Sequence, residues 1–386
     1  MVSTTEFDEL IEVLRDFIRH EVMPAEAGID ESDEIPGRLI AQAKEMGLYG
    51  YALPAEFGGL GLSVQQQVLV TMELGYTSPA FRSLFGTNNG IAGQVLVLAG
   101  TEEQRKQWLP RLASGEVVAS FALTEPDAGS DPSRLVTSAM PDDAPEAGPG
   151  GGWVIDGLKR YITNAPAADI FMVFARTDPA APPGKGIGVF IVPARLDGVS
   201  VAAKDHKMGQ AGAWTADVSF SGVRVPRDAV VGEAAAAGYS TAMRSLAHGR
   251  LIIAALCAGV AARLIDESMT YARERSQGGH PIADYQLVQA MLADSQTEYM
   301  AARALVLDAA ARYDAGTDQR LAPSAAKYFA SEAVGRIADR AVQIHGGSGY
   351  MRGVPVERLY RDVRLFRIYE GTSQIQQLVI AREMLR

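Results

Sequence analysis

Glu370 is the side chain in this sequence best placed to act as a catalytic base. It lies in the run Tyr369-Glu370-Gly371-Thr372, between an aromatic ring and a glycine. Such neighbours allow a carboxyl group to lie in an apolar pocket close to the backbone. Loss of solvation then raises its pKa and makes it a stronger base. A solvated turn has the same composition, so the hypothesis depends on the rest of the chain.

Two further runs have the composition of a binding site for a flat heterocycle. Residues 121–131 (FALTEPDAGSD) contain small side chains and hydroxyls, which would let backbone N–H groups approach a ring and a charged tail. Residues 160–164 (RYITN) combine an aromatic side chain, able to cover one face of a cofactor, with a hydroxyl. The alternatives are an interdomain turn for the first run and a strand with a core tyrosine for the second.

A glycine cluster occupies residues 343–350 (QIHGGSGY). It lacks the G-x-G-x-x-G spacing and follows no predicted strand, so it is not a Rossmann fingerprint. Glycines after a helix can bind a pyrophosphate through the backbone, or they can end the helix. We expect His345 to be a packed or solvent-facing residue rather than a catalyst.

Composition narrows the class of protein. The chain has 386 residues, 47% of them hydrophobic, which suffices for two or three domains with a large core. Its formal net charge of −10 argues against a nucleic-acid partner, which would require a basic surface. The single cysteine, Cys257, can form no internal disulfide, and histidines without ligand spacing predict no metal site.

The elements that must position these residues fall into three regions. Residues 1–120 and 235–386 show helical periodicity, whereas 121–234 contains short apolar runs separated by Pro, Gly and Asp. Short strands without intervening helices indicate an antiparallel sheet or barrel. The prediction is an α+β protein: an N-terminal α-helical domain, a middle β domain and a C-terminal α-helical bundle, with these boundaries. Strands are expected at 153–155, 170–175, 187–192, 199–201, 216–220 and 223–225, and a surface hairpin loop at 140–152.

Helices are predicted from the spacing of apolar residues. The first carries Phe7, Leu14 and Phe17 on one face, which is typical of a surface helix rather than a targeting segment. Thr101 and Gln104 form a capping box at the start of another. No apolar run is expected to reach the roughly 18–20 residues of a membrane span, so a soluble protein is predicted. The bundle helices are expected near 241–274, 285–313, 320–345 and 373–386.

Six short runs, in their order and spacing, resemble the acyl-CoA dehydrogenase family of FAD-dependent flavoproteins. The resemblance covers essentially the whole chain and implies the same three-part plan, with a four-helix bundle as the last part. The runs are 54–62, 121–131, 161–164, 223–226, 343–350 and 369–372.

The resemblance implies an oxidoreductase that converts an acyl-CoA thioester into the trans-2-enoyl-CoA. Glu370 would remove the proton α to the thioester while a hydride passes from the β carbon to flavin N5. The backbone N–H of Glu370 and a flavin ribityl hydroxyl would bind the thioester oxygen. Electrons would pass to an electron-transferring flavoprotein. The residues implied for substrate binding are Ser130, Arg250, Tyr369, Glu370 and Gly371.

The resemblance also implies how FAD is held. Within one subunit FAD would contact Phe121, Leu123, Thr124, Ser130, Tyr161, Thr163, Thr372 and Gln374, with Tyr161 where most relatives carry Trp. In a neighbouring subunit its adenine and pyrophosphate would contact Arg275, Gln286, Gln343, Gly346 and Gly347. A homotetramer, built as a dimer of dimers, is therefore expected. Its expected place is cytoplasmic fatty-acid β-oxidation, with no nucleic-acid or membrane partner.

Some positions depart from the family pattern. Gly278 replaces an aromatic residue expected beside the dinucleotide, and Ala247 replaces an acidic residue expected near the CoA arm. Ala213 stands where relatives carry Ser. Some relatives carry the base at the position of Gly249, which leaves Glu370 as the candidate here. These departures keep open a flavin oxidase or dehydrogenase of the same fold acting on a carrier-bound or non-CoA substrate.

A third alternative is a flavin-bearing DNA-associated protein of the same superfamily. The net charge of −10 and the lack of a basic C-terminal extension disfavour it. The length of the acyl chain would depend on the pocket, which is expected near 88–94 and Tyr369.

Overall fold

Seven helices form the first part of the fold, in a computed structural model that describes residues 3–142 and 151–386. Capping boxes start three of them: the hydroxyls of Ser3, Ser63 and Thr101 each accept a hydrogen bond from the N–H three residues later, where a Glu or Gln bonds back. The predicted capping box at Thr101 is thus confirmed. The helices are α1 Thr4–Phe17, α2 Glu26–Ser32, α3 Gly37–Glu45, α4 Val64–Leu74, α5 Pro79–Asn89, α6 Gly93–Ala99 and α7 Glu102–Ala113.

A curled seven-stranded sheet follows. Its strands are β1 Ala119–Ala122, β2 Ser138–Asp142, β3 Gly152–Thr163, β4 Ile170–Arg176, β5 Ile187–Pro193, β6 Val199–Val201 and β7 Thr215–Pro226. The order is β1-β4-β2-β3-β7-β6, with β5 paired to β4. The pairings are antiparallel except that β4 runs parallel to β1 and, over one residue pair, to β2. Phe171, Phe190 and Phe220 lie in the core of this sheet.

The strands differ from the prediction in detail. β1 and β2 were not expected, because runs of four and five residues carry little periodicity and depend on their neighbours for pairing. The runs 216–220 and 223–225 form one strand, which bulges between Phe220 and Val223 where Gly222 has φ +61. The predicted loop at 140–152 overlaps β2 and β3, and its residues 143–150 lie outside the described part of the chain.

The C-terminal region is the predicted bundle. Its helices are α8 Gly238–Glu274, α9 Gln286–Asp314, α10 Leu321–His345, α11 Pro355–Val363 and α12 Ser373–Met384, with a small ribbon of β8 Ser276–Gln277 and β9 His280–Pro281. Helix α8 is central and packs against α4, α9 and α10. The absence of a side chain at Gly259 permits α8 to approach α4 closely, since a Cβ there would lie 2.1 Å from the carbonyl oxygen of Met72 on α4. The predicted fold class is confirmed.

Helix α8 is long and apolar enough to span a membrane by length and composition alone, with a mean hydropathy of 1.6 in its most apolar window. That window is 89% buried inside the protein, where it forms the core of the bundle. The expectation that no segment reaches the apolar length of a membrane span is therefore wrong. Composition does not distinguish a helix buried in protein from one buried in lipid.

Polar side chains join the N-terminal helices to the C-terminal bundle. Asp314 at the end of α9 accepts hydrogen bonds from the N–H groups of Val64 and Gln65 at the start of α4, both at 2.9 Å. Buried Glu26 of α2 pairs with Arg358 of α11. These contacts fix the N-terminal helices against the bundle, and the site described next lies where they meet.

Candidate active site

Glu370 lies in a short loop before α12. This helix starts where it does because the Thr372 hydroxyl accepts a hydrogen bond from the N–H of Ile375 at 3.3 Å. Glu370 has φ +56 and Gly371 has φ +89, so two consecutive residues are left-handed. A non-glycine residue with positive φ is uncommon and costs conformational energy, and such residues cluster at functional sites.

The carboxyl group of Glu370 lies against the middle of α8. A Cβ at Gly249 would lie 2.8 Å from Glu370 Oε2, so the glycine makes room for the carboxylate. Oε2 is buried and has no hydrogen-bond partner among the described residues. Burial raises the pKa of Glu370 to about 7, although Arg82, Arg250 and Lys327 oppose this rise. A carboxyl group with such a pKa can act as a base near neutral pH.

Three helices supply the cations that act on this carboxyl group: Arg82 on α5, Arg250 on α8 and Lys327 on α10. Arg250 is buried; its Nη1 donates to the Ser324 hydroxyl at 3.4 Å, and its Nε has no partner in the described chain. Arg82 Nε is also buried and unpartnered there. The Glu370 carboxyl group therefore lies in a region of positive charge, of which the sequence analysis named only Arg250.

The backbone at Glu370 is held by two further side chains. Lys327 Nζ donates to the Gly371 carbonyl at 2.7 Å. Gln376 Nε2 donates to the carbonyls of Glu370 and Gly371 at 2.9 and 3.0 Å. The N–H of Glu370 donates no hydrogen bond to the described residues. A fixed, unused N–H donor is the kind of group that binds a developing oxyanion. Beside it, burial raises the pKa of Tyr369, which packs on Phe366.

The run 121–131 begins in β1 and then passes next to the end of β3. The N–H of Arg160 donates to the Thr124 carbonyl at 2.8 Å, which brings this run together with 160–164. Beneath them lies a buried ion pair, in which Lys159 Nζ is 2.7 Å from Glu125 Oε1. Glu125 also accepts the N–H groups of Val136 and Thr137, at 2.6 and 2.9 Å. The run 121–131 therefore contains Glu125, one partner of a buried ion pair, in addition to its hydroxyl side chains.

Asn164 connects this region to the helix that carries Arg82. Its amide donates to the Ser83 carbonyl at 2.9 Å and to the Thr87 hydroxyl at 3.0 Å, both on α5. Helix α5 therefore contacts the run 160–164 and also carries Arg82, whose charge acts on Glu370. Tyr161 has φ +57 and is 65% exposed, so it is not the core tyrosine of the alternative interpretation.

The residues expected to hold FAD within one subunit fit a flat, polar group. Phe121 and Leu123 are buried and apolar, whereas the hydroxyls of Thr124, Thr163 and Ser130 make no hydrogen bond to other described residues. An apolar wall beside unused hydroxyls suits a heterocycle with polar edges. Thr372, in contrast, already uses its hydroxyl to cap α12, and Gln374 is exposed.

The remaining predicted cofactor residues lie at the far end of the bundle. Arg275 follows α8, Gln286 starts α9, Gln343 lies in the last turn of α10, and Gly346 and Gly347 follow that helix; all five are exposed. Gly249 and Arg275 are separated by about 40 Å of helix at ~1.5 Å per residue. The structure therefore brings the predicted residues together in two sets rather than one. His345 is packed as expected, with its ring stacked on Tyr271 at 4.2 Å.

Three residues at the site escaped the sequence interpretation: Arg82, Lys327 and Gln376. Each stands in an otherwise ordinary amphipathic helix, and the available signal was only a charged or amide side chain on an apolar face. In the range 88–94, near which the acyl pocket is expected, Asn88 donates to the carbonyls of Leu112 and Val117, at 3.0 and 2.8 Å, and so anchors backbone. Within residues 3–142 and 151–386 no cluster of three His, Cys, Asp or Glu side chains could hold a metal.

Comparison with known proteins identifies the family. Family models for the acyl-CoA dehydrogenase N-terminal, middle and C-terminal domains match residues 4–116, 120–223 and 236–385. The chain is 38% identical to the 3-(aryl)acrylate reductase of Clostridium sporogenes over 383 residues, 99% of each chain. It is 39% identical over 358 residues to subunit CarC of the caffeyl-CoA reductase–Etf complex of Acetobacterium woodii, covering 93% of this chain and 92% of that one.

The fold agrees with these similarities. The structure of butyryl-CoA dehydrogenase from Megasphaera elsdenii superposes with a TM-score of 0.93 at 31% identity, covering 100% of each chain. The chain belongs to the acyl-CoA dehydrogenase family, whose members are oxidoreductases acting on CH–CH bonds.

Proposed function

We propose that this chain catalyses the α,β-dehydrogenation of an acyl-CoA thioester to the trans-2-enoyl-CoA, with Glu370 as the base. The observation that carries the proposal is the enclosed carboxyl group of Glu370, whose Oε2 is unpartnered and whose pKa is about 7. Near neutral pH a substantial fraction is ionised. Oε2 would accept the proton from the carbon α to the thioester.

The backbone supports the same role. The N–H of Glu370 would donate to the thioester oxygen and stabilise the negative charge that develops there as the α proton leaves. Tyr369 and Gly371 flank this donor, and Arg250 lies behind the carboxyl group. We assign these residues and Ser130 to substrate binding.

We place FAD against Phe121, Leu123, Thr124, Ser130, Tyr161, Thr163, Thr372 and Gln374. When bound there, FAD would supply the acceptor for the hydride that leaves the β carbon. The buried side chains Phe121 and Leu123 would exclude water, the Thr124 and Thr163 hydroxyls would bond to the polar edge of the ring, and Tyr161 would cover it. The family of flavoproteins to which the chain belongs supports this assignment.

An electron-transferring flavoprotein is the proposed electron partner, because a relative is part of a caffeyl-CoA reductase–Etf complex. Both relatives described above are named for reductases, so the same residues would also serve the reverse reaction, in which Glu370 returns the proton. The potentials of the substrate and the electron partner set the net direction. A homotetramer in the cytoplasm is part of the same proposal.

The test is anaerobic reduction of the bound flavin by a panel of acyl-CoAs, followed by absorbance in wild type and in Glu370→Gln. The variant should bind FAD and ligand but reduce the flavin about 10²–10⁴-fold more slowly, because Gln has the shape of Glu and accepts no proton. Glu274→Gln, an exposed site at the end of α8, is the control. Near wild-type reduction by Glu370→Gln would show that another group is the base.

A specific observation favours an acyl group with a negatively charged far end. The guanidinium of Arg82 lies over Gly86, where a Cβ would be 2.8 Å from Arg82 Cζ. It forms no salt bridge or hydrogen bond with the described residues, yet its Nε is buried. Nearby His248 is neutral, since burial and then Arg82 lower its pKa to about 4, and its Nδ1 is also unpartnered. A substrate carboxylate would satisfy the guanidinium.

Glutaryl-CoA and valeryl-CoA, which differ in the terminal charge, separate this second candidate from the first. Wild type should prefer glutaryl-CoA in kcat/KM. Arg82→Gln should lose about 10–100-fold more kcat/KM on glutaryl-CoA than on valeryl-CoA, the value of a hydrogen bond to a charged group. Exposed Arg244→Gln should retain the preference. A wild type that prefers valeryl-CoA would exclude the charged acyl group and leave the role of Glu370 intact.

A further inference from the structure

The loop that carries Glu370 requires an external support. Glu370 and Gly371 both have positive φ, and the first has a side chain, so the left-handed conformation is disfavoured on its own. A Cβ at Gly371 would lie 2.6 Å from Gln376 Nε2, so another residue type there would have to displace the Gln376 side chain. Some other part of the molecule must hold this loop.

Lys327 and Gln376 supply that support from α10 and α12. Both are fully buried, each at 0% exposure. Together they donate three hydrogen bonds, of 2.7, 2.9 and 3.0 Å, to the carbonyls of Gly371 and Glu370. With these carbonyls fixed, the N–H of Glu370 is held in one orientation and stays free of other partners in the described chain.

Lys327 is unusual because it is a buried cation without a carboxylate partner. It forms no salt bridge in the described chain, and its one hydrogen bond goes to Gly371. Burial lowers its pKa to about 8, so the amine remains mostly charged at pH 7. A buried unpaired charge is costly, and a neutral side chain could pack there more cheaply. The charge is explained if it acts on Glu370.

We propose that Lys327 is a positioning residue for Glu370: it fixes the base loop through the Gly371 carbonyl, and its positive charge favours the ionised form of the base. Gln376 also fixes the base loop through its hydrogen bonds, but it is uncharged and does not affect the ionisation of Glu370. This inference rests on the proposed role of Glu370 as the base.

Other groups act on the same pair. Arg82 from α5 and Arg250 from α8 also lower the pKa of Glu370. Cys257 of α8 and Glu332 of α10 act on Lys327, each raising its pKa, and Tyr369 is adjacent. Arg82 and Arg250 remain when Lys327 is replaced, so its removal should raise the pKa of Glu370 rather than abolish ionisation. The deficit should be largest below pH 7 and should narrow above pH 8.

The experiment measures the pH dependence of flavin reduction in three variants. Lys327→Met removes the bond and the charge, Lys327→Arg keeps the charge, and Gln376→Met removes two bonds without a change of charge. Lys327→Met should slow reduction at least tenfold at pH 7 and move the acid limb of kcat/KM to higher pH. Gln376→Met should slow reduction and leave the limb in place. Lys327→Arg should restore the limb.

Ser331→Ala is the control, since Ser331 is fully buried on α10 and its hydroxyl bonds, within the described part of the chain, only to the Tyr328 carbonyl at 3.3 Å. Thermal melting of each variant, and binding of a non-reactive enoyl-CoA followed by difference absorbance, report folding apart from turnover. An unmoved acid limb in a folded Lys327→Met variant would overturn the electrostatic role, and an unchanged rate would overturn the positioning role. If Glu370→Gln is itself active, the proposed function fails first, and the two failures are distinguishable.

Discussion

At the scale of single residues, Gly249 leaves the space in which the carboxylate of Glu370 lies. A methyl group at position 249 would meet the carboxylate at 2.8 Å, well inside normal contact. We expect Gly249→Ala to displace the carboxyl group of Glu370 and to slow flavin reduction by at least tenfold. Ala is favoured over Gly inside a helix by about 1 kcal/mol, so the melting temperature should hold or rise.

The matched control is Gly28→Ala, another glycine inside a helix, with no atom within 4 Å of the added Cβ. It should gain similar helix stability and keep full activity. For both variants, stopped-flow absorbance measures the rate of flavin reduction and calorimetry measures the melting temperature. A Gly249→Ala variant with wild-type kinetics would mean that the carboxylate does not work where it now lies.

At the scale of elements, the buried pair of Lys159 and Glu125 fixes the run 121–131 on the sheet. Lys159 bridges Glu125, the Phe174 carbonyl and the Leu123 carbonyl at 2.7, 2.7 and 3.2 Å. We expect Glu125→Gln to lower the free energy of unfolding by about 3–5 kcal/mol, because the ammonium remains buried without its anion. Urea unfolding measures this loss. The exposed pair of Arg111 and Glu116 gives the comparison, and Glu116→Gln should cost less than about 1 kcal/mol.

The pair of Lys159 and Glu125 also predicts how the free energy of unfolding depends on pH. Burial by itself would raise the pKa of Glu125, but the charge and hydrogen bond of Lys159 outweigh it, and the pKa is lowered on balance. A carboxyl group with a lowered pKa stabilises the fold above its unfolded value, about 4.3, and loses that contribution as pH falls through the folded value. Between pH 5 and pH 3 wild type should therefore lose more stability than Glu125→Gln. Equal losses would contradict the pair as the source.

At the scale of the whole molecule, the predicted cofactor residues lie at two distant places in one chain. Arg275, Gln343 and Gly346 are exposed at the far end of the bundle. If they hold the FAD of a neighbouring subunit, retention of FAD depends on assembly. Arg275→Ala should release FAD, and wild type diluted below its assembly concentration should do the same. Arg273→Ala, exposed two residues earlier, is the control. Flavin fluorescence measures the release of FAD, and light scattering measures the oligomeric state. Monomers that keep FAD would exclude a cofactor site shared between subunits.

The sequence determined the features that depend on local pattern. Local patterns predicted helices α9 and α10, the capping box at Thr101 and the short strands of the middle region. They could do so because the helix and strand periods depend on residues close together in the chain. The order of six short runs was enough to identify the family. The unusual setting of Glu370, between an aromatic residue and a glycine, also marked it as the candidate base.

Only the tertiary structure decided what surrounds that base. Arg82, Lys327 and Gln376 come from three helices, and nothing in the local pattern of each helix shows that they converge on Glu370. The strands β1 and β2 exist because their neighbours pair with them, and α8 is apolar because it is buried in protein rather than lipid. Charge, burial and strand pairing depend on contacts between residues far apart in the chain, and these contacts form only when the chain folds.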